Sequence, residues 1–325
     1  MSDFERTLSP LELTRNYLSR LARHLGNSWT RFWFTPTLPY GLCATRIGIG
    51  LVTVGYWLSF LPDPNVWFGA DGILPIRSLL VLTGAGEQTV YRATMFVAGE
   101  TTGLVWVLWF FGLLASIALT IGFGGRIAAL AAWGTTLSVV HRIPMMTGLL
   151  EPILTMALLY LAIGPATARW SLDAWLKRRR AEREEDRAGQ VALSSWSTLA
   201  TRLLQVHLVF FYVVMASTQM RHATWWDGEA LWTMLASTDT RLFDLTWLGA
   251  SPFTLNAATH AVVGYEWAFA LLVWNRTLRP AMLAGSVLLW GLIAVASGLL
   301  GFALGMLLLG AAFLEPGLLK PAARD

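Results

Sequence analysis

The amino-acid sequence predicts an all-α polytopic membrane protein: a bundle of about eight transmembrane helices, with an N-terminal interfacial helix before it and interfacial helices on its outer face. Three observations predict this class. Hydrophobic residues make up 55% of the 325-residue chain and Asp, Glu, Lys and Arg only 14%, with a mean hydropathy of +0.53, which leaves too little polar surface for a water-soluble globule. Apolar runs recur at 40–61, 103–121, 126–141, 148–163, 203–218, 257–273, 279–299 and 301–314, at or somewhat below the roughly 20 residues that cross a bilayer. Eighteen of the 24 lysines and arginines fall before the first run, in alternate connections and in the tail, whereas Arg77, Arg92, Arg142, Arg221 and Arg241 fall in the other connections. Basic residues resist translocation, so the expected orientation places both termini in the cytoplasm.

Residues 1–38 form the expected cytoplasmic N-terminal segment. Ser9-Pro10-Leu11-Glu12 reads as a capping box with proline at the first helical position. Leu11, Leu18, Leu21 and Leu25 then recur on one face while Arg15, Arg20 and Arg23 stay solvated, the pattern of a helix lying on a membrane. Five arginines without a preceding apolar run exclude a signal peptide.

The transmembrane domain is expected over 39–318, with a short cytoplasmic tail at 319–325. Within it, the single cysteine, Cys43, excludes an internal disulfide, a CxxC redox pair and a cysteine-built zinc site. The connections at 62–102 and 219–256 carry Trp67, Trp225, Trp226, Trp232 and Trp247, and tryptophan favours the headgroup zone, so these segments are expected to roof the outer face. The charged loop at 164–202 contains Lys177-Arg178-Arg179-Arg180 followed by Glu182, Glu184, Glu185 and Asp186. Opposite charges at i, i+4 spacing describe a solvated helix and not a nucleic-acid patch.

Two groups of polar residues fall where a bilayer is costly. Arg46 lies about 9 Å inside the first run and Glu266 about 12 Å above the inner end of the sixth, at 1.5 Å per residue. An unpaired charge there costs roughly 2.5 to 3.5 kcal/mol, so the matched depths predict an Arg46–Glu266 pair, with His207 in the same half of the membrane. Such a pair either locks the bundle or carries a proton or ligand. At the outer ends lie His141, Glu151, Gln219, Arg221, His222 and His260. Histidine and carboxylate beneath a tryptophan roof suit acid and base chemistry; each also suits an ordinary interfacial position. HExxH and Walker A strings are absent, and Gly301-Phe-Ala-Leu-Gly305 reads as helix packing.

Arg46, Trp67-Phe-Gly-Ala-Asp-Gly-Ile-Leu-Pro75, Arg142-Ile-Pro144 before Gly148 and Glu151, Tyr160-Leu161 with Pro165, Trp170-Ser-Leu-Asp173, Tyr212, Ala216, Gln219-Met220, Trp225 or Trp226, Gly228 and Glu266 follow one another along the chain. The order of these loose motifs resembles the vitamin K-dependent gamma-carboxylase-like family, whose bacterial members carry the HTTM domain. The resemblance covers about residues 31–318. It implies an outer-facing chamber that takes a quinone-type lipid such as reduced vitamin K, with a peptide or lipid substrate. Tyr212, Trp225 and Trp226 would contact the cofactor, and Gln219, His141, Glu151, His222 and His260 would line the reaction site. In the carboxylases a lysine of a lysine-leucine pair deprotonates the reduced vitamin; here that place is Gln219, and an amide accepts no proton near neutral pH. Glutamate carboxylation is therefore not expected. Three readings stand: a modification enzyme with altered chemistry, a noncatalytic accessory or immunity protein that binds lipid or a partner protein, and a transporter or proton path through Arg46, Glu266 and His207. A bacterial inner membrane is the expected location, with membrane lipids as partners and no nucleic acid.

The charge distribution yields one direct prediction. A reporter active only in the cytoplasm should work when fused after position 187 or 325 and fail after position 84. Activity at position 84 would place the first connection on the wrong side and remove the eight-span arrangement.

Overall fold

The computed structural model describes residues 10–82, 94–98, 101–183, 192–238 and 242–314. Ser9 of the expected capping box lies outside them, as do Arg92, Arg241 and the acidic positions 184–186. Every described element is helical. In chain order the α-helices are α1 (Pro10–Phe34), α2 (Tyr40–Leu58), α3 (Pro64–Phe68), α4 (Ile76–Leu82), α5 (Thr102–Ile121), α6 (Gly125–Arg142) and α7 (Leu150–Ile163). They continue as α8 (Leu172–Arg183), α9 (Ser195–Gln219), α10 (Ala223–Trp226), α11 (Ala230–Ala236), α12 (Pro252–Leu272), α13 (Arg279–Ser297) and α14 (Leu300–Gly310).

All eight apolar runs form helices. Four of them, α2, α5, α9 and α13, are long and apolar enough to cross a membrane; α7 and α14 are apolar but shorter. Their outward faces carry exposed large apolar side chains, among them Val107, Phe110 and Phe111 on α5 and Val287, Leu288 and Leu292 on α13. In water that surface would be strongly unfavourable, and in lipid it is not. The leucine stripe of α1 is exposed as well.

Two cores organise the bundle. The larger gathers Leu158, Leu204, Tyr212, Phe269, Trp290 and Met306 from α7, α9, α12, α13 and α14. The smaller is aromatic: Trp57, Phe60 and Phe68 pack with Phe96, and the Phe68 and Phe96 rings stack at 4.3 Å between centroids. It holds α3 against α2 and α5. The ends are set by local chemistry. Asp63 caps α3 by accepting from the Asn65 and Val66 amides, with Pro64 at the first helical position. Thr101 caps α5 in the same way through the Leu104 amide, and Ser251 caps α12 through Thr254.

Helices α9 and α12 are out of step. Gln219, the last residue of α9, meets Glu266 well along α12, so about 20 Å of α12 runs on beyond the end of α9 at 1.5 Å per residue. The tryptophan-rich connection wraps this projecting half. Asn256 donates to the Asp227 carbonyl at 2.9 Å and Thr259 to the Gly228 carbonyl at 3.0 Å. These bonds seat α10 and α11 on α12.

Candidate functional site

Among the described residues two arginines are wholly buried, and backbone carbonyls hold both. Arg46, on α2, donates Nη1 to Leu119 and Thr120 at 2.6 and 2.7 Å, Nη2 to Trp170 at 2.6 Å and Nε to Ala166 at 3.0 Å. Leu119 and Thr120 end α5, where the last carbonyls have no helical partner and carry partial negative charge. Gly122 caps that helix in the left-handed region (φ 72°), and a Cβ there would come within 2.6 Å of Arg46 Nη1. Trp170 is also left-handed, at φ 48°, in the loop that Arg46 ties down.

The Arg46–Glu266 pair expected from matched depth does not form. Every described bond from the guanidinium goes to a carbonyl, because helix ends and loops within its reach offer acceptors that a count of charged residues omits. His207 does not join Arg46 either: its Nδ1 lies 3.3 Å from the Tyr160 hydroxyl, with the Phe211 ring beside it.

Arg142 repeats the arrangement at the other end of the bundle. It donates to the carbonyls of Phe68 at 3.2 Å, Gly69 at 2.6 Å and Leu74 at 2.6 Å. Sequence reasoning assigned it to a connection. Its acceptors lie 68 to 74 positions earlier in the chain, within the motif running from Trp67 to Pro75, and nothing in the sequence spacing links the two.

Glu266 is fully buried and pairs with Gln219, whose Nε2 donates to Glu266 Oε1 at 3.2 Å. Gln219 Oε1 and Glu266 Oε2 are both buried acceptors with no described hydrogen-bond donor. The remaining residues of the expected outer cluster spread apart. His222 and His260 are exposed, with His260 Nδ1 at 2.9 Å from the Asn256 carbonyl of its own helix. Glu151 accepts from the Gly148 amide at 2.9 Å and lines a cavity of about 200 Å³ with Tyr56 and Trp67. His141 is half-buried at the end of α6. Among the described residues no three of His, Cys, Asp and Glu converge closely enough to hold a metal ion.

The residues expected to contact a cofactor also separate. Tyr212 is fully buried, stacked on Phe269 at 4.0 Å, with its hydroxyl 2.5 Å from Ser286 Oγ and accepting from Trp290 Nε1 at 2.7 Å. That network locks α9 to α13. Trp226 is exposed and donates to the Met220 carbonyl, and Trp225 is half-buried beside it.

The cavity with a ligand-like wall lies elsewhere. It measures about 380 Å³ between α11, α12 and α13 and is lined by Met234, Leu248, Val262, Leu289 and Ile293, among other apolar residues. Among the described residues that line it Tyr265 is the one polar side chain, and that hydroxyl is spent on the Met282 carbonyl at 2.5 Å. Gln219 and Glu266 are outside this wall. Leu288 and Leu292, at its rim, are 65% and 58% exposed, so the mouth opens on the side of the bundle. Comparison with protein-family models, curated proteins and solved structures finds no significant match to the chain.

The Gln219–Glu266 contact predicts an asymmetric mutational pattern. Gln219→Leu removes the donor to a buried carboxyl and should cost about 1 to 3 kcal/mol. Glu266→Gln supplies a new N–H beside the orphaned amide oxygen and should change stability by less than about 1 kcal/mol. Thermal unfolding in detergent measures both; equal losses would show that the two side chains are not each other's partners.

Proposed function

We propose that this chain is a multi-pass membrane protein, with eight crossings and both termini cytoplasmic, that binds the apolar chain of a quinone-type or other isoprenoid or acyl lipid. The cavity between α11, α12 and α13 carries the reading. Its volume falls within the roughly 300 to 1,000 Å³ of small-ligand sites, and its wall is apolar apart from a tyrosine whose hydroxyl is already engaged. Residues 285–296 of α13, a helix of span length, form one side of it, so the mouth meets lipid.

An apolar wall holds a hydrocarbon tail and does no acid or base chemistry. The modification-enzyme reading requires a base beside the bound lipid, whereas His222 and His260 are exposed and Glu151 lines a separate cavity. A noncatalytic lipid-binding role within an HTTM-like bundle therefore accounts best for the geometry. The resemblance to the carboxylase-like family bears on the bundle and not on the reaction, because Gln219 supplies no base.

Two measurements test this reading. Lipids retained by the purified protein should include an isoprenoid or acyl species that is lost severalfold in Ala261→Trp or Leu292→Trp, with the thermal midpoint of the lipid-stripped protein unchanged. Retention unaffected by filling the cavity would contradict it. Incubation with reduced vitamin K, oxygen, labelled bicarbonate and a glutamate peptide should give no label in the peptide, and label above a protein-free control would restore the enzymatic reading.

A further inference from the structure

The opposite end of the bundle contains a second cavity of different character, about 630 Å³, between the end of α1, the start of α2, the first turns of α9 and the α12–α13 connection. Three arginines line it, Arg202, Arg276 and Arg279, and among the described residues no carboxylate does. Like charges repel and ordinarily disperse across a surface. Here the fold gathers them.

Arg202 is fixed in place. Its Nε donates to the Phe32 carbonyl, its Nη1 donates to Gln205 Oε1 at 2.8 Å, and the guanidinium lies 4.4 Å from the Phe32 ring centroid. Gln205 is in turn held by the Ala312 carbonyl at 2.7 Å. Nη2 of Arg202 is left with no described acceptor. Arg279 spends only its Nε, on the Val273 carbonyl at 3.2 Å, and stands close enough to Arg202 for the two charges to repel. Arg276 is exposed at the rim. The cavity thus presents several guanidinium N–H groups without a described acceptor, those of Arg202 and Arg279 positioned by neighbouring backbone, with no anion among the described residues of its wall.

Its position identifies the class of anion. Arg279 is the first residue of α13 and Arg202 lies about two turns into α9, both helices of span length, so the cavity sits at a membrane boundary. Phe32, Leu38, Trp274, Phe313 and Leu314 give the wall an apolar part, beside the polar Thr37, Thr198, Thr201 and Gln205. Free phosphate needs only the guanidiniums; a glycerophospholipid uses both parts. We infer that this cavity binds the phosphodiester headgroup of an anionic phospholipid, with Arg202, Arg276 and Arg279 on the phosphate oxygens and the apolar wall against the glycerol and upper acyl chain.

The test uses the full chain, stripped of lipid in neutral detergent. Phosphatidylglycerol should raise the thermal midpoint and phosphatidylcholine should not, and the gain should shrink as salt rises. Binding of labelled phosphatidylglycerol should weaken about fivefold with Arg276→Gln and about fivefold again with Arg279→Gln added. Arg276 makes no described hydrogen bond, so its variant reports binding even if Arg202→Gln fails to fold. Inorganic phosphate alone should give no comparable stabilisation. Equal effects of the two phospholipids, unchanged affinity in the double variant, or stabilisation by inorganic phosphate matching that by phosphatidylglycerol would each overturn the assignment.

Discussion

Burying a guanidinium without a carboxylate is the constraint on which much of this bundle depends. A charge moved out of water is stabilised only if its hydrogen-bonding capacity is met almost completely. Arg46 meets that demand with carbonyls from two segments distant from it in sequence: the end of α5 and the connection between α7 and α8. Apart from Leu119, which also accepts from the Gly122 amide at 3.0 Å, these carbonyls have no other described backbone donor, so arginine and backbone satisfy each other. The left-handed Trp170 and the glycine at position 122 follow from the same requirement, since both lie in the segments that must converge on one side chain. Arg142 imposes the equivalent order on the loop after α3.

With its charges consumed locally, most of the interior elsewhere is apolar, the Gln219–Glu266 contact apart. The Tyr212–Ser286–Trp290 network is a compact exception that joins α9 to α13. Two of the cavities that interrupt the packing differ in chemistry as their positions require. One opens sideways from the apolar flank of α13 and suits a hydrocarbon chain; the other lies where α9 and α13 begin and suits a phosphate. A lipid-binding account uses both without asking any side chain to act as a base.

Helix positions were legible because apolar runs of this length permit no other backbone solution in a membrane. Boundaries moved outside the apolar runs: Ser251 caps α12 and Pro252 starts it before the expected 257, and α9, without a side-chain cap, starts at Ser195 instead of 203. The partners of Arg46 were not legible. Depth along a helix can be counted from sequence, but backbone carbonyls at helix ends carry no sequence label, and they competed successfully with Glu266. Gln219 was singled out by resemblance, and its contact with Glu266 depends on the offset between α9 and α12, which the tryptophan-rich connection sets. The apolar cavity gave no signal at all, because leucine, alanine and valine lining a pocket read the same as those packed in a core.

The central claim is that the buried charges on α2 and α12 are satisfied separately, Arg46 by carbonyls and Glu266 by Gln219. A double-mutant cycle between Arg46→Met and Glu266→Gln, read from unfolding free energies in detergent, isolates any energy the two share. The separate arrangement predicts that the double variant loses the sum of the single losses to within about 0.5 kcal/mol. A coupling of about 1 kcal/mol or more, with the double variant more stable than that sum, would mean that Arg46 and Glu266 are partners and would contradict the account.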